Sequence, residues 1–417
     1  MKGRHEYKIK YSKLFFIIGI VFAAVISAIT ILGATINADG DHSIHIAIAR
    51  AASYTTHPMY HLLLIWFERL FFIEMEYFSS FLLTISNIAS ILLLKKIIYY
   101  AISSYNNEIS VANEISDINR FIIDFFCIAS IFVMTIPSIL TNNAMYIYQG
   151  YTGYDGIPFL PISSPNMWHN PTQLLLRPFQ LISLYFFLRV IHNIKIPSNS
   201  IYYFKNLTMF SMFSVLATLA KPAGNFVIMP AFAIYAALIL FGKLKERIIP
   251  ALGLFVATLP IIATMLIQYQ SAGIAGVGDY FIPLEMRFHF GTLANLSFEQ
   301  VMFFAASNVL FALFIFITLG FKNMIKSPLY CIGIMTYFVG FFQFFFLTDG
   351  TWHFNMAWPY MFGSYIIMAC SIIPLLTLEK SIKNMIIKVI GYSIYCIHFI
   401  FGLRYIILYL NTGTFIH

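Results

Sequence analysis

The chain has 417 residues, 60% of them hydrophobic and 10% charged, where a soluble domain carries roughly 25% charged residues, so a soluble enzyme is excluded. At about 20 apolar residues per membrane-crossing helix it accommodates on the order of ten crossings, which also excludes a singly anchored protein. The formal charge of +8 comes from basic residues set singly or in twos and threes between apolar runs; this pattern fits membrane orientation and not a nucleic-acid-binding face.

The first apolar run, 14 to 36, is long enough to span, and Gly33-Ala34-Thr35 leads directly into a polar segment, so it is read as a retained span and not as a cleaved signal peptide. The next residues, Asn37 to Arg50, hold Asp39, Asp41, His42 and His45 at the mouth of the membrane. Asp41 is placed to begin a helix, with His45 one turn further along the same face. A partly desolvated carboxylate held near an acceptor hydroxyl is what a general base requires. The plainer reading is a helix cap in a wet loop. Residues 54 to 69 follow, where Pro58 suits the first turn of a helix; His61 and Glu68 recur on one face, and Leu62, Leu63, Trp66, Phe67 and Leu70 supply an apolar side. The pattern predicts an interfacial helix on the outer leaflet. His57 and His61 have a spacing compatible with a divalent metal, but the local sequence fixes no third ligand, so no cofactor is called for.

An acidic outer segment directly after the first span, a helix rich in small residues, and a His-Pro element opening an interfacial helix together resemble the start of the GT-C superfamily of integral membrane glycosyltransferases. The likeness covers roughly the first hundred residues and the overall topology. It implies transfer of a sugar from a polyprenyl-phosphate or polyprenyl-diphosphate donor on the outer face, with a loop Asp or Glu as base. It also implies an acid in a later outer loop, for which Asp155 is the best choice. The chain departs from the oligosaccharyltransferase branch in lacking its Trp-Trp-Asp-Tyr-Gly motif and its large C-terminal soluble domain.

Further spans are expected at 78 to 100, 121 to 140, 172 to 191, 206 to 220, 224 to 242, 248 to 268, 301 to 320, 329 to 347, 357 to 377 and 387 to 410, about eleven in all. With the N-terminus cytoplasmic, Lys and Arg divide about 19 to 6 in favour of the cytoplasmic side. The outer segments are then 37–77, 141–171, 269–300 and 348–356, and the whole of 1–417 reads as one all-α, polytopic integral membrane domain. Cys127, Cys331, Cys370 and Cys396 fall in apolar stretches and lack disulfide or zinc spacing.

The second outer segment contains Tyr151, Tyr154 and Asp155, then Asn166, Trp168 and His169 ahead of Asn170-Pro171, a strong helix-start signal whose positive end suits an anion. Tyrosines and Trp168 at this depth serve either as sugar-stacking platforms or as interface anchors. His42, His45, His57 and His61 complete the expected substrate-binding set. Arg177, Lys221, Arg287 and Arg404 are the cations of the outer half, expected to gather on the donor phosphate because unpaired cations are costly in a membrane. The acceptor, whether glycan, lipid or protein, is not legible. The localisation expected is a plasma membrane, with the active site extracytoplasmic. A transporter or flippase of a lipid-linked saccharide, and a polysaccharide polymerase or ligase, are the alternatives.

Overall fold

In lipid, every backbone N–H and C=O must find its partner within the protein, so apolar segments of this length fold as helices. The computed structural model describes residues 2–37, 41–51, 58–109, 117–133, 168, 170–195, 200–241, 247–274, 285–286, 302, 305–348, 357–378 and 381–412. The helices are α1 (Lys2–Ile36), α2 (Asp41–Arg50), α3 (Pro58–Phe71), α4 (Met75–Ile109), α5 (Asp117–Ala129), α6 (Pro171–Lys195) and α7 (Ser200–Ala220). They continue as α8 (Ala223–Leu240), α9 (Ile248–Ile274), α10 (Leu310–Lys326), α11 (Pro328–Phe346), α12 (Ala357–Cys370), α13 (Ile372–Thr377) and α14 (Ile382–Thr412). Among the described residues the extended pairing is one short ladder, β1 (Glu285–Met286) antiparallel to β2 (Leu347–Thr348). It joins the third outer segment to the residues that follow α11.

Among the described residues eight helical segments are long and apolar enough to cross a membrane, within 13–36, 75–103, 171–194, 223–240, 248–268, 328–346, 357–377 and 382–411. Three of the expected spans differ from the pattern read in sequence. Helix α5 stops at Ala129, and 134–140 lie outside the described residues. Helix α10 is interrupted at Gly320, whose φ of 70° suits only a residue without Cβ. Helix α7 is not among the eight: Lys205 and Asn206 follow Tyr202 and Tyr203 near its start, and its Asn206, Ser214 and Thr218 are buried. The span at 357–377 is two helices that meet at Ser371, whose hydroxyl donates back to the Ile367 carbonyl.

Polar pairs fix the helix registers. Lys221 meets Asn170 and Ser183 meets Ser214, so α6 and α7 are antiparallel. Tyr203 donates to the Pro250 carbonyl at 2.6 Å and Gln268 to that of Thr218 at 3.1 Å, so α7 and α9 are parallel. Helix α12 is the centre of the bundle, every one of its residues being buried, whereas α9 lies at the rim with few buried residues. On the opposite end from Asp41, Lys95 of α4 pairs with Asp124 of α5 at 2.5 Å and lies 3.5 Å above the Phe16 ring, locking α1, α4 and α5.

The two short helices α2 and α3 fold back over the ends of α1 and α4. Arg50 grips Glu76 through both carboxylate oxygens (2.7 and 2.8 Å), and the Tyr60 hydroxyl bonds that of Ser79 at 2.6 Å. Leu62, Trp66 and Leu70 of α3 stay exposed.

Helices α11 and α12 approach through glycines, as membrane helices do where small residues let backbones meet. A Cβ on Gly363 would stand 2.9 Å from the Thr336 carbonyl oxygen and 3.3 Å from Tyr337 Cα, both backbone atoms. One on Gly391 would meet only the flexible end of Leu375, at 2.9 Å. Gly363→Ala should therefore destabilise by about 1–3 kcal/mol, seen as a clear drop in the melting temperature of the purified protein, with a smaller drop for Gly391→Ala; equal effects would contradict the close α11–α12 contact.

Candidate functional site

The site begins at the N-terminus of α6. Asn170 caps that helix: its Oδ1 accepts from the Gln173 backbone N–H (3.0 Å) and the Thr172 hydroxyl (2.8 Å). Pro171 at the first helical position gives up an N–H that has no intrahelical partner anyway. The same Oδ1 accepts from the Lys221 ammonium at 3.2 Å, and the Asn170 amide nitrogen donates to Asp41 Oδ2 at 2.8 Å. Lys221 lies at the tight turn between α7 and α8, its ammonium 4.0 Å from the centroid of the Trp358 ring of α12. Four distant segments thus meet: the start of α2, the start of α6, the α7–α8 turn and the start of α12.

Asp41 opens α2 and is half-buried, with Arg50 in the last turn, both placements matching the helix dipole. Behind it His42 Nε2 lies 2.7 Å from the Trp168 carbonyl; a carbonyl only accepts, so that nitrogen carries the proton. Trp168 donates its indole N–H to the Ile131 carbonyl at 2.6 Å and stacks on Phe132. His45 Nδ1 and His61 Nε2 are 2.9 Å apart and share one hydrogen bond between α2 and α3.

Below the cap, α6 carries Gln173, Arg177 and Gln180 on one stripe, spacings of four and three that keep side chains on a common face. All three are completely buried. Arg177 Nη1 makes one long contact, 3.4 Å to Asn87 Oδ1 of α4, and the guanidinium lies 4.7 Å from the Tyr365 ring of α12. Among the described residues its Nε and Nη2 meet no hydrogen-bond partner, and neither do the amide atoms of Gln173 and Gln180. Nε and Nη2 form the edge of the guanidinium that presents two parallel N–H groups to a carboxylate or phosphate. Gln180 faces Gly224 of α8, where a Cβ would stand 3.0 Å from its Oε1.

Of the sixteen residues singled out in sequence, Asp41, His42, His45, His61, Trp168, Arg177 and Lys221 come together here, around the ends of α2, α3, α6 and α7 that meet at Asn170 or just beneath them. Arg404 does not join Arg177: it is exposed on α14, whose main neighbours are α1, α10 and α13. The register of α14 directs that position outward, which the run of apolar residues around it did not reveal. Asp39, Asp155, His57, Tyr151, Tyr154, Asn166, His169 and Arg287 lie outside the described residues. Among the described residues no group of three or more His, Cys, Asp or Glu is arranged to hold a metal ion. Sequence reading passed over Gln173, Gln180, Asn87, Trp358 and Tyr365, and took Asn170 only as a cap. The four- and three-residue spacing of Gln173, Arg177 and Gln180 was the available signal. No protein-family model and no curated protein matches the chain; what the fold itself defines is a polytopic, all-helical membrane protein.

Burial lowers the Lys221 amine from its ordinary value of 10.5 to about 7, the Asp41 carboxylate opposing the shift. Between those two values the unfolded chain binds more protons than the folded one, so this lysine makes stability rise with pH from about 7 upward. The melting temperature of the purified protein, measured against that of Lys221→Met, should therefore gain between pH 7 and pH 10; a flat difference would show that the buried amine keeps its proton.

Proposed function

We propose that the protein is an integral membrane glycosyltransferase of GT-C-like architecture, acting on the extracytoplasmic face of a plasma membrane and using a polyprenyl-phosphate-linked sugar. The observation that carries this reading is the guanidinium edge of Arg177, buried with no anion among the described residues to satisfy it, below a half-exposed carboxylate at the same end of the bundle. An isolated buried cation is expensive unless a ligand or partner neutralises it, and phosphate matches two parallel N–H donors.

Asp41 stands against Asn170, and Arg177 is seven residues further along the same helix, a rise of about 10 Å. A sugar bridging the two presents its anomeric carbon toward the outer end and its phosphate to the guanidinium. The acceptor hydroxyl attacks the anomeric carbon and gives its proton to the Asp41 carboxylate as the bond from carbon to phosphate oxygen breaks. The electron pair stays on the leaving polyprenyl phosphate, whose charge Arg177 stabilises, with Lys221 adding a second cation nearer the surface. Gln173 and Gln180 offer a donor and an acceptor each, which suits hydroxyl groups.

The antiparallel course of α6 and α7 and the parallel course of α7 and α9 support α7 as a further crossing, and the shorter α5 and α10 fit the expected total of about eleven. The meeting of Asp41, Asn170 and Lys221, with the β1–β2 ladder, supports one shared outer face for the segments that the charge asymmetry assigned there. A second reading, a flippase for a lipid-linked saccharide, is favoured by one feature: the Gln173, Arg177, Gln180 and Ser183 series continues inward along α6, as a polar path through the membrane does.

Asp41→Asn should abolish sugar transfer from a polyprenyl-phosphate donor in reconstituted protein, a loss of about 10²-fold or more, with thermal stability retained. Arg177→Gln should raise the apparent donor constant about tenfold and leave that of the acceptor nearly unchanged. Full transfer by Asp41→Asn would remove it as the base, and lipid translocation that survives the substitution in place of any transfer would favour the flippase.

A further inference from the structure

Helix α6 needs only an acceptor at its cap, and Ser, Thr, Asp and Asn all provide one. Asn alone among these also carries an N–H2 group. Here three donors converge on Asn170 Oδ1: the Gln173 backbone N–H, the Thr172 hydroxyl and the Lys221 ammonium. A backbone N–H never accepts, so the Gln173 bond alone settles the orientation of the amide, and its nitrogen must be the group that faces Asp41. That nitrogen is 2.8 Å from Asp41 Oδ2 and is 129 residues distant in sequence. The carboxylate oxygen it meets is thereby held as an acceptor, and the side chain is held in one rotation.

We propose that Asn170 is a positioning residue: it aims the Asp41 carboxylate at the acceptor hydroxyl, and the cap of α6 together with Lys221 keeps its amide the right way round. The inference rests on the reading of Asp41 as the base. It goes beyond that reading in giving the start of α6 a role distinct from helix initiation. Lys221 acts at one remove: bonded to the amide oxygen and seated over the Trp358 ring, it ties the orientation of Asp41 to α12, the most buried helix of the bundle. Asp41 Oδ1 is left for the proton it is to receive.

Two arms test this, one without any assay of transfer. Asn170→Asp keeps the cap and the shape but sets two carboxylates face to face, so the melting temperature of the purified protein should fall; adding Asp41→Asn restores a donor and an acceptor in reversed order, and stability should recover. Asn170→Ser keeps the cap acceptor and discards the donor, so stability should stay close to that of the wild type while kcat falls about tenfold to a hundredfold at an unchanged donor KM. A cap with no positioning role would leave kcat untouched. Failure of the double variant to recover stability overturns the hydrogen bond itself. Wild-type kcat in a folded Asn170→Ser protein, with transfer still lost in Asp41→Asn, overturns the positioning role alone; wild-type kcat in Asp41→Asn overturns the reading of Asp41 as the base.

Discussion

A guanidinium sealed inside an apolar bundle is costly to desolvate, and polar and aromatic groups of α1, α4 and α12 gather around the one that α6 carries. Arg177 is completely buried, with a single long hydrogen bond to Asn87 and a ring face from Tyr365. Neither contact neutralises its charge. Asn87 is itself held by Ser27 of α1, at 3.1 Å, so the polar chain crosses from α1 through α4 to α6 and α12. An arrangement of this kind is tolerated in a membrane protein where a ligand completes it, because removing the polar group would be the simpler route to stability.

The rest of the bundle brings the helices close enough for that chain to form. Gly224 lets α8 approach Leu176 and Gln180 of α6, and Gly340 and Gly363 let α11 and α12 touch through their backbones. Aromatic rings fill the wider gaps, as with Phe187 stacked on Phe232 at 3.8 Å and Phe126 on Tyr395 at 3.6 Å. Small residues and rings thus divide the work that hydrophobic burial cannot do between helices in lipid. Over the end of the bundle that holds Asn170, α2 and α3 are pinned by Arg50–Glu76 and Tyr60–Ser79, which sets the start of α2 against the start of α6.

Much of this was legible in sequence because a membrane imposes strong patterns. Runs of apolar residues gave the long helices, Pro58 and Asn170-Pro171 gave two helix starts, and Asp41 stood out as an acid at a membrane mouth. What escaped was whatever depends on which face a residue takes. The sequence pattern marked 206 to 220 as a span like the others and did not show that Ser214 and Thr218 are buried, each with a partner on a neighbouring helix. Arg404 and Arg177 looked alike as cations in outer half-spans, yet one is exposed and the other sealed. Gln173 and Gln180 carry no signal beyond their spacing, and the Asn170–Asp41 bond joins residues too far apart in the chain for local pattern to connect them.

The central claim is that the open edge of Arg177 takes the phosphate of a lipid-linked sugar whose anomeric carbon faces Asp41. A cryo-EM structure of the protein reconstituted with a polyprenyl-phosphate sugar measures this directly. The account predicts a phosphate oxygen within hydrogen-bond distance of both Nε and Nη2 of Arg177, with the sugar lying between it and Asp41. A lipid phosphate bound elsewhere, with only water on that guanidinium edge, would contradict it.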